Sequence, residues 1–217
     1  MPITLYTSTM SPPARAVQLL IKELELKVKV KLVDARAGET RTEEFLRMNP
    51  QHTIPTIDDN GFYLWESRAI LAYLVETYRQ GHDLYPTIPK ERALINRVLH
   101  HDSSAFYPQI IGTLYPIFRG EAKVITPEMK ATVEKALATL ELLLIRNDWF
   151  AGEKITIADM ALLPTIATLA HSGFDLTKFP RLLAWYDNCK ELKGYPEEQA
   201  IAVQAGQFVR SMLTEGL

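Results

Sequence analysis

The sequence predicts an α+β domain of order βαβαββα over residues 1–81, a linker over 82–89 and an all-helical domain over 90–217. Three observations lead there. Strand-like alternation is confined to the first third of the chain, around residues 3–6, residues 28–32 and the two sides of Asn60-Gly61. Beyond residue 90 the apolar spacing is helical throughout. Between these regions, Gly81 is followed by Pro86 and Pro89, residues that punctuate a connection.

The first strand is residues 3–6, with Ile3 and Leu5 apolar. A segment ending in Ser11-Pro12-Pro13 crosses to a helix, because proline suits the first helical position, where a missing N–H costs nothing. Val17, Leu20, Ile21 and Leu24 then form one apolar stripe at helical spacing. Val28, Val30 and Leu32 alternate with Lys29 and Lys31, a half-exposed strand, and the strand–helix–strand order predicts a parallel unit. Residues 36–42 are polar and contain Gly38, a loop; residues 43–48 read as a short helix that Asn49-Pro50 stops. Asn60-Gly61 between apolar runs predicts a hairpin, since both residues tolerate positive φ, and makes Thr56-Ile57 antiparallel to residues 62–64. Glu66-Ser67 then lead into a helix striped by Ile70, Leu71, Leu74 and Tyr78.

In the second half, residues 92–118 read as a long helix that Pro108 and Pro116 kink or interrupt. Thr126-Pro127 is a cap and a first-position proline, ahead of Val133, Leu137, Leu140 and Leu144 on one face. Thr156 and Asp159 have the spacing of a capping box and open an almost wholly apolar helix over 160–169, central to its domain. Pro180 starts a helix bearing Leu182, Leu183, Trp185 and Tyr186, and a last helix carries Ile201, Ala205, Phe208 and Met212.

Composition removes several function classes. The 24 basic and 26 acidic side chains make no electrostatic case for nucleic acid or a membrane surface. No apolar run approaches the length of about 18 residues that a membrane span needs. Cys189 is the only cysteine, which excludes an internal disulfide, a CxxC pair and a cysteine-rich zinc site and agrees with a reducing compartment. The chain opens on a strand rather than a basic segment and an apolar stretch, so a cytoplasmic location is expected. His100-His101-Asp102 are adjacent on a helix and do not face one another, and no third ligand stands at zinc spacing, so no metal is expected.

Two positions suggest chemistry. Ser11 stands where a strand ends and a helix begins, a place that favours an oxyanion, phosphate or thiolate, although a plain N-cap is the commonest job for a serine there. Pro55 precedes a strand; an ordinary trans bond is the simple reading, whereas a cis bond would turn the N–H and C=O of Ile54 toward a peptide-like ligand.

Four segments taken in order go further. Ser11-Pro12-Pro13-Ala14-Arg15, Asn49-Pro50-Gln51-His52-Thr53-Ile54-Pro55, Asp59-Asn60-Gly61 and Trp65-Glu66-Ser67-Arg68-Ala69-Ile70 resemble the cytosolic glutathione transferases, nearest the insect delta and epsilon classes. The resemblance runs through the helical half. It implies a thioredoxin-like first domain with a cis bond before Pro55, and a homodimer. It also implies conjugation of glutathione, as co-substrate and without a metal, to small apolar electrophiles in xenobiotic detoxification. Ser11 would be the hydrogen-bond donor to the glutathione thiolate. A free thiol titrates near about 8.5, and a hydroxyl donor with a helix N-terminus behind it can lower that by about one to two units.

The resemblance assigns His52 to the glycyl end of glutathione and Ile54, beside Pro55, to its cysteinyl backbone. Glu66 would pair with the γ-glutamyl ammonium, and Ser67, with Arg68 nearby, would hold the adjacent carboxylate. Thr40 stands where many delta and epsilon members have histidine, and its shorter, uncharged hydroxyl implies a weaker hold on the glycyl carboxylate. Ser8 and Thr9 are nearby hydroxyls that rank below Ser11. Met10, Tyr107, Ile111, Tyr115, Phe118 and Phe208 would wall the electrophile site. Two rivals share the fold, a non-catalytic binder of apolar ligands and an interaction module of the kind found in translation-factor complexes. An omega-type thiol-exchange enzyme is disfavoured, because it needs cysteine where Ser11 stands.

Overall fold

The computed structural model describes residues 2–214. Its first part runs β1 (Ile3–Thr7), α1 (Pro12–Glu23), β2 (Val28–Leu32), α2 (Glu43–Met48), β3 (Thr56–Asp59), β4 (Phe62–Trp65) and α3 (Ser67–Tyr78). The four strands lie in the order β2-β1-β3-β4. β1 is parallel to β2 and antiparallel to β3, and β3 is antiparallel to β4 across the Asn60-Gly61 turn. Asn60 at φ 55 and Gly61 at φ 90 both take the left-handed backbone that the tight connection requires. Leu5 and Ile57 of the inner strands are buried with Val17 and Leu20 of α1 and Ile70, Leu71 and Leu74 of α3.

β2 departs from the half-exposed strand that its alternation predicts. Val30 is 53% and Leu32 70% exposed, and Val28 alone of the three packs on the core. The reason is position: β2 ends the sheet, with β1 on one side and, among the described residues, no strand on the other. Lys29 and Lys31 are the charges that keep such an edge from recruiting another strand.

The helical part comprises α4 (Pro89–His101), α5 (Tyr107–Phe118), α6 (Pro127–Leu143), α7 (Ile157–Ser172), α8 (Pro180–Asn188) and α9 (Tyr195–Met212). Helix α4 begins at Pro89 rather than residue 92, and a π-helical segment, Asp102–Phe106, joins it to α5. That segment is the interruption expected of Pro108, whose missing N–H cannot serve the regular ladder. Pro116 lies inside α5 without ending it.

Helix α7 is buried along nearly its whole length and packs on both α1 and α9. Its capping box forms as the Thr156–Asp159 spacing predicts. The Asp159 carboxylate also accepts the Phe150 N–H and the Trp185 indole N–H, both at 3.0 Å, so one acidic group ties three segments together. On α9 the buried stripe is Ala202, Ala205, Gly206 and Val209, with Ile201 and Phe208 only partly buried. The small residues win the inner face because α7 crosses there with no room for larger ones. A Cβ at Gly206 would stand 2.3 Å from the carbonyl carbon of His171.

Candidate active site

The sheet register decides which loops meet. Thr7 pairs with Leu32, Tyr6 with Thr56, and Thr56 with Trp65, so these residues form rows across the sheet. The chain leaving β1 and β2, the chain entering β3 and the chain leaving β4 therefore all lie at one end of the sheet. Ser11, Thr40, His52, Ile54, Pro55 and Glu66 stand on those connections, and Ser67 and Arg68 follow in the first turn of α3.

Ser11 occupies the N-cap position of α1 with an extended backbone, φ −80 and ψ 114, yet its hydroxyl makes no capping hydrogen bond. The cap reading therefore holds for the backbone but not for the side chain. Pro12 and Pro13, the next two residues, carry no N–H, so this helix start offers an anion fewer backbone donors than most. Ser11 borders a cavity of about 210 Å³, together with Met10, Pro12, Tyr107, Ile111, Tyr115 and Phe118. Ser8 and Thr9 instead border an outer cavity of about 720 Å³.

The Ile54–Pro55 bond is cis. The loop before it is built around Asn49, a fully buried residue. Its Nδ2 donates toward the Thr53 carbonyl at 3.0 Å, Thr53 Oγ1 at 3.1 Å and Thr56 Oγ1 at 2.9 Å, and its Oδ1 accepts the Gln51 N–H at 2.9 Å. His52 is half-buried and takes a left-handed backbone at φ 48, its N–H bonded to the Asn49 carbonyl at 3.0 Å. Asn49 was legible in the sequence only as a helix stop, although threonines four and seven residues on were a signal for side-chain bonds. Thr40 sits in a 3-10 turn, Glu39–Arg41, that follows Gly38 at φ 84, and it is almost wholly buried.

Glu66, exposed at the end of β4, adopts φ 69 and ψ 102, a region that non-glycine residues seldom enter and that tends to mark functional sites. Ser67 opens α3 and is buried. The Arg68 guanidinium is turned to Asp102 and Ser67. Its Nε donates to Asp102 Oδ2 at 2.7 Å, Nη1 donates to Ser67 Oγ at 2.9 Å, and Nη2 also donates to Asp102. It lies 5.1 Å from the centre of the Tyr107 ring. Its charge is thus committed to a carboxylate of the helical half. Burial pushes the Asp102 carboxyl up to about 6 against the opposing pull of Arg68, and it pushes the Tyr107 hydroxyl up to about 12. Asp102 Oδ1 has no hydrogen-bond partner among the described residues.

Five expected wall residues, Met10, Tyr107, Ile111, Tyr115 and Phe118, line the inner cavity. Phe208 does not; it lines the outer cavity and stacks on Phe118 with ring centres 5.7 Å apart. Ile110, Leu114, Thr165 and Thr168 complete the inner wall, and Arg36 lines both cavities. None of these five carried a sequence signal that set it apart from core or loop. One turn beyond Ser11, the buried Arg15 pairs with Glu198 at 3.0 Å and donates to the Pro164 carbonyl at 2.8 Å and to Thr168. It thereby anchors α1 to α7 and α9. Burial pushes the Glu198 carboxyl up, with Arg15 opposing.

Comparison with known proteins extends these observations. Residues 1–76 match the family model for the N-terminal domain of glutathione S-transferases, and residues 123–188 match the one for the C-terminal domain. Glutathione S-transferase D7 of Drosophila melanogaster is 39% identical over 206 residues, covering 94% of this chain and 92% of that protein. Among solved structures, a delta-class glutathione transferase of Nilaparvata lugens superposes with a TM-score of 0.91 at 37% identity, covering 97% of this chain and 100% of that one. An epsilon-class glutathione S-transferase of the housefly, Musca domestica, gives 0.91 at 33% identity, covering 98% and 100%.

Proposed function

The chain belongs to the glutathione S-transferase family, and from that premise we propose that it transfers glutathione to apolar electrophiles with Ser11 as donor to the sulfur. The observation that carries the assignment is an uncapped hydroxyl at the wall of an apolar cavity, behind two residues that have no N–H. The thiol proton passes to solvent, and the hydroxyl hydrogen bond favours the thiolate left behind. A serine hydroxyl does not ionise near neutrality, so it donates and does not act as a base. The sulfur then forms a bond to an electrophilic carbon. In a substitution the leaving group departs with the bonding pair; in an addition the neighbouring carbon takes up a proton.

The same proposal seats glutathione at the end of the sheet where the loops meet. Ile54, beside Pro55, pairs with its cysteinyl backbone and His52 takes its glycyl end, with Thr40 a buried and short-reaching neighbour. Glu66 meets the γ-glutamyl ammonium. Ser67 and the free N–H groups of the first turn of α3 hold the carboxylate beside it. Arg68 supports this end from behind by orienting Ser67. Met10, Tyr107, Ile111, Tyr115 and Phe118, with Phe208 in the outer cavity, receive the electrophile. We further infer a homodimer, for which the exposed Phe62 and Tyr63 on β4 and Leu94 on α4 offer apolar surface. We also propose a cytoplasmic setting, where reduced glutathione is available to the reaction, and a role in detoxification.

The test is turnover of 1-chloro-2,4-dinitrobenzene by wild type and Ser11→Ala, with the pH profile of kcat/KM. Ser11→Ala should lose about ten- to a hundredfold in kcat/KM, with the apparent thiol pKa rising by about one to two units and glutathione KM little changed. An inactive wild type overturns the enzyme, and a fully active variant overturns the role of Ser11.

A further inference from the structure

One charged side chain reaches the inner cavity. Arg36 lies on the loop after β2, and its Nη2 donates to the carbonyl oxygen of Phe118 at 3.0 Å, at the last residue of α5. A helix end leaves such carbonyls unsatisfied and favours a cation, so this contact holds the guanidinium at the cavity mouth. Every other residue lining the 210 Å³ cavity is uncharged.

Among the described residues no carboxylate lies within ion-pairing distance of the Arg36 guanidinium. Asp34 and Glu39, on the same loop, line the outer cavity but are turned to backbone. Asp34 Oδ1 accepts the N–H groups of Arg36 and Ala37 at 2.8 and 3.0 Å, and Glu39 Oε2 accepts the Asp34 N–H at 2.7 Å. The loop is thereby braced with Arg36 at the wall of the apolar chamber.

We propose that Arg36 is a specificity-determining residue, and that the preferred electrophile carries a single anionic group, such as a carboxylate, on a flat apolar body. The inference rests on the reading of the inner cavity as the electrophile site. The apolar walls take the ring, and the guanidinium, with donors beyond the one on Phe118, takes the anion at the mouth.

The test uses a matched pair, 4-chloro-3,5-dinitrobenzoate and its methyl ester. In both, the glutathione sulfur bonds to the chlorine-bearing carbon and chloride leaves with the bonding pair. The ratio of kcat/KM, acid over ester, is measured for wild type, Arg36→Lys and Arg36→Gln. Dissociation constants for the unreactive 3,5-dinitrobenzoate and its methyl ester are measured beside it. Because each variant is compared on both compounds, their differing intrinsic reactivities cancel.

Arg36→Gln should lower the acid-over-ester ratio about five- to tenfold, a size suited to a charge-assisted contact at a solvent-open mouth. Arg36→Lys should keep most of the preference, and added salt should reduce it in wild type. If Arg36 serves only as a strap on α5, both substrates suffer together and the ratio does not move. An unmoved ratio, or equal wild-type affinity for acid and ester, overturns the inference. Selective binding of the acid with no turnover of either substrate upholds it and overturns the proposed catalysis instead.

Discussion

Arg68 Nε lies 2.7 Å from Asp102 Oδ2, which joins the first turn of α3 to the π-helical segment between α4 and α5. The carboxylate is fully buried, and the guanidinium also holds Ser67, at the end of the sheet where glutathione is proposed to sit. The pair is therefore both a brace between the two halves and a support for the site.

Removing Arg68 takes away the only cation paired with Asp102 among the described residues, in a place where burial already disfavours the carboxylate. Arg68→Ala should cost about 3–5 kcal/mol of stability and raise glutathione KM, since Ser67 loses the contact that orients it. Denaturant unfolding and steady-state kinetics read the two effects. A loss below about 1 kcal/mol, the scale of a surface ion pair, would show that the bridge is solvated.

The same carboxyl makes stability depend on pH in an unusual sense. In the unfolded chain Asp102 ionises near about 3.9, whereas in the fold burial raises it to about 6. Between those values the folded protein keeps a proton that the unfolded chain has shed. The associated stability is complete below the unfolded value and is lost as pH rises through the folded one. Relative to Asp102→Asn, wild type should therefore lose about 3 kcal/mol between about pH 4 and pH 7. Unfolding both proteins across that range checks it, and a difference that grows with pH would mean that Arg68 outweighs burial.

Asn49 shapes the loop that carries His52 and the cis bond. Asn49→Ala deletes its side-chain bonds to Gln51, Thr53 and Thr56 in a fully buried place. At about 1–3 kcal/mol for each group left unsatisfied, the variant should lose about 2–4 kcal/mol. Glutathione KM should rise while kcat falls less, because Ser11 stands on a different segment. Thermal unfolding and kinetics measure both.

Gly206 allows α9 to cross α7. A methyl group there would meet the His171 backbone at 2.3 Å, and backbone cannot rotate away as a side chain can. Gly206→Ala should destabilise by about 2–3 kcal/mol or more despite its better helix propensity. Because Thr165 and Thr168 of α7 line the inner cavity, affinity for apolar ligands should weaken as well. A more stable variant would mean that the helices separate at little cost.

What was legible in the sequence was local. Alternation located β1, β3 and β4, Asn60-Gly61 marked the hairpin, and Thr126, Thr156 and Asp159 marked helix starts, because each signal is a preference of a few adjacent residues. The order of four motifs was specific enough to indicate the family and to nominate Ser11. Period alone misjudged Val30 and Leu32, since alternation does not say whether anything covers a strand. It misjudged the face of α9 too, where the approach of α7 at Gly206 outweighs the larger apolar side chains.

The sequence by itself determined which segments become strand or helix, and it nominated Ser11 as the donor hydroxyl. Pro12 and Pro13 start α1 and remove its first N–H groups wherever the chain folds, so that part of the chemistry is written in the order of residues. Only the tertiary structure decided which partners meet: Arg68 with Asp102, Arg15 with Glu198, Asn49 with Thr53 and Thr56, and Arg36 with the end of α5. The physical reason is that burial and pairing depend on what stands opposite. A side chain on one helix acquires its shifted pKa, its buried partner or its place in a cavity wall only when a distant segment packs against it.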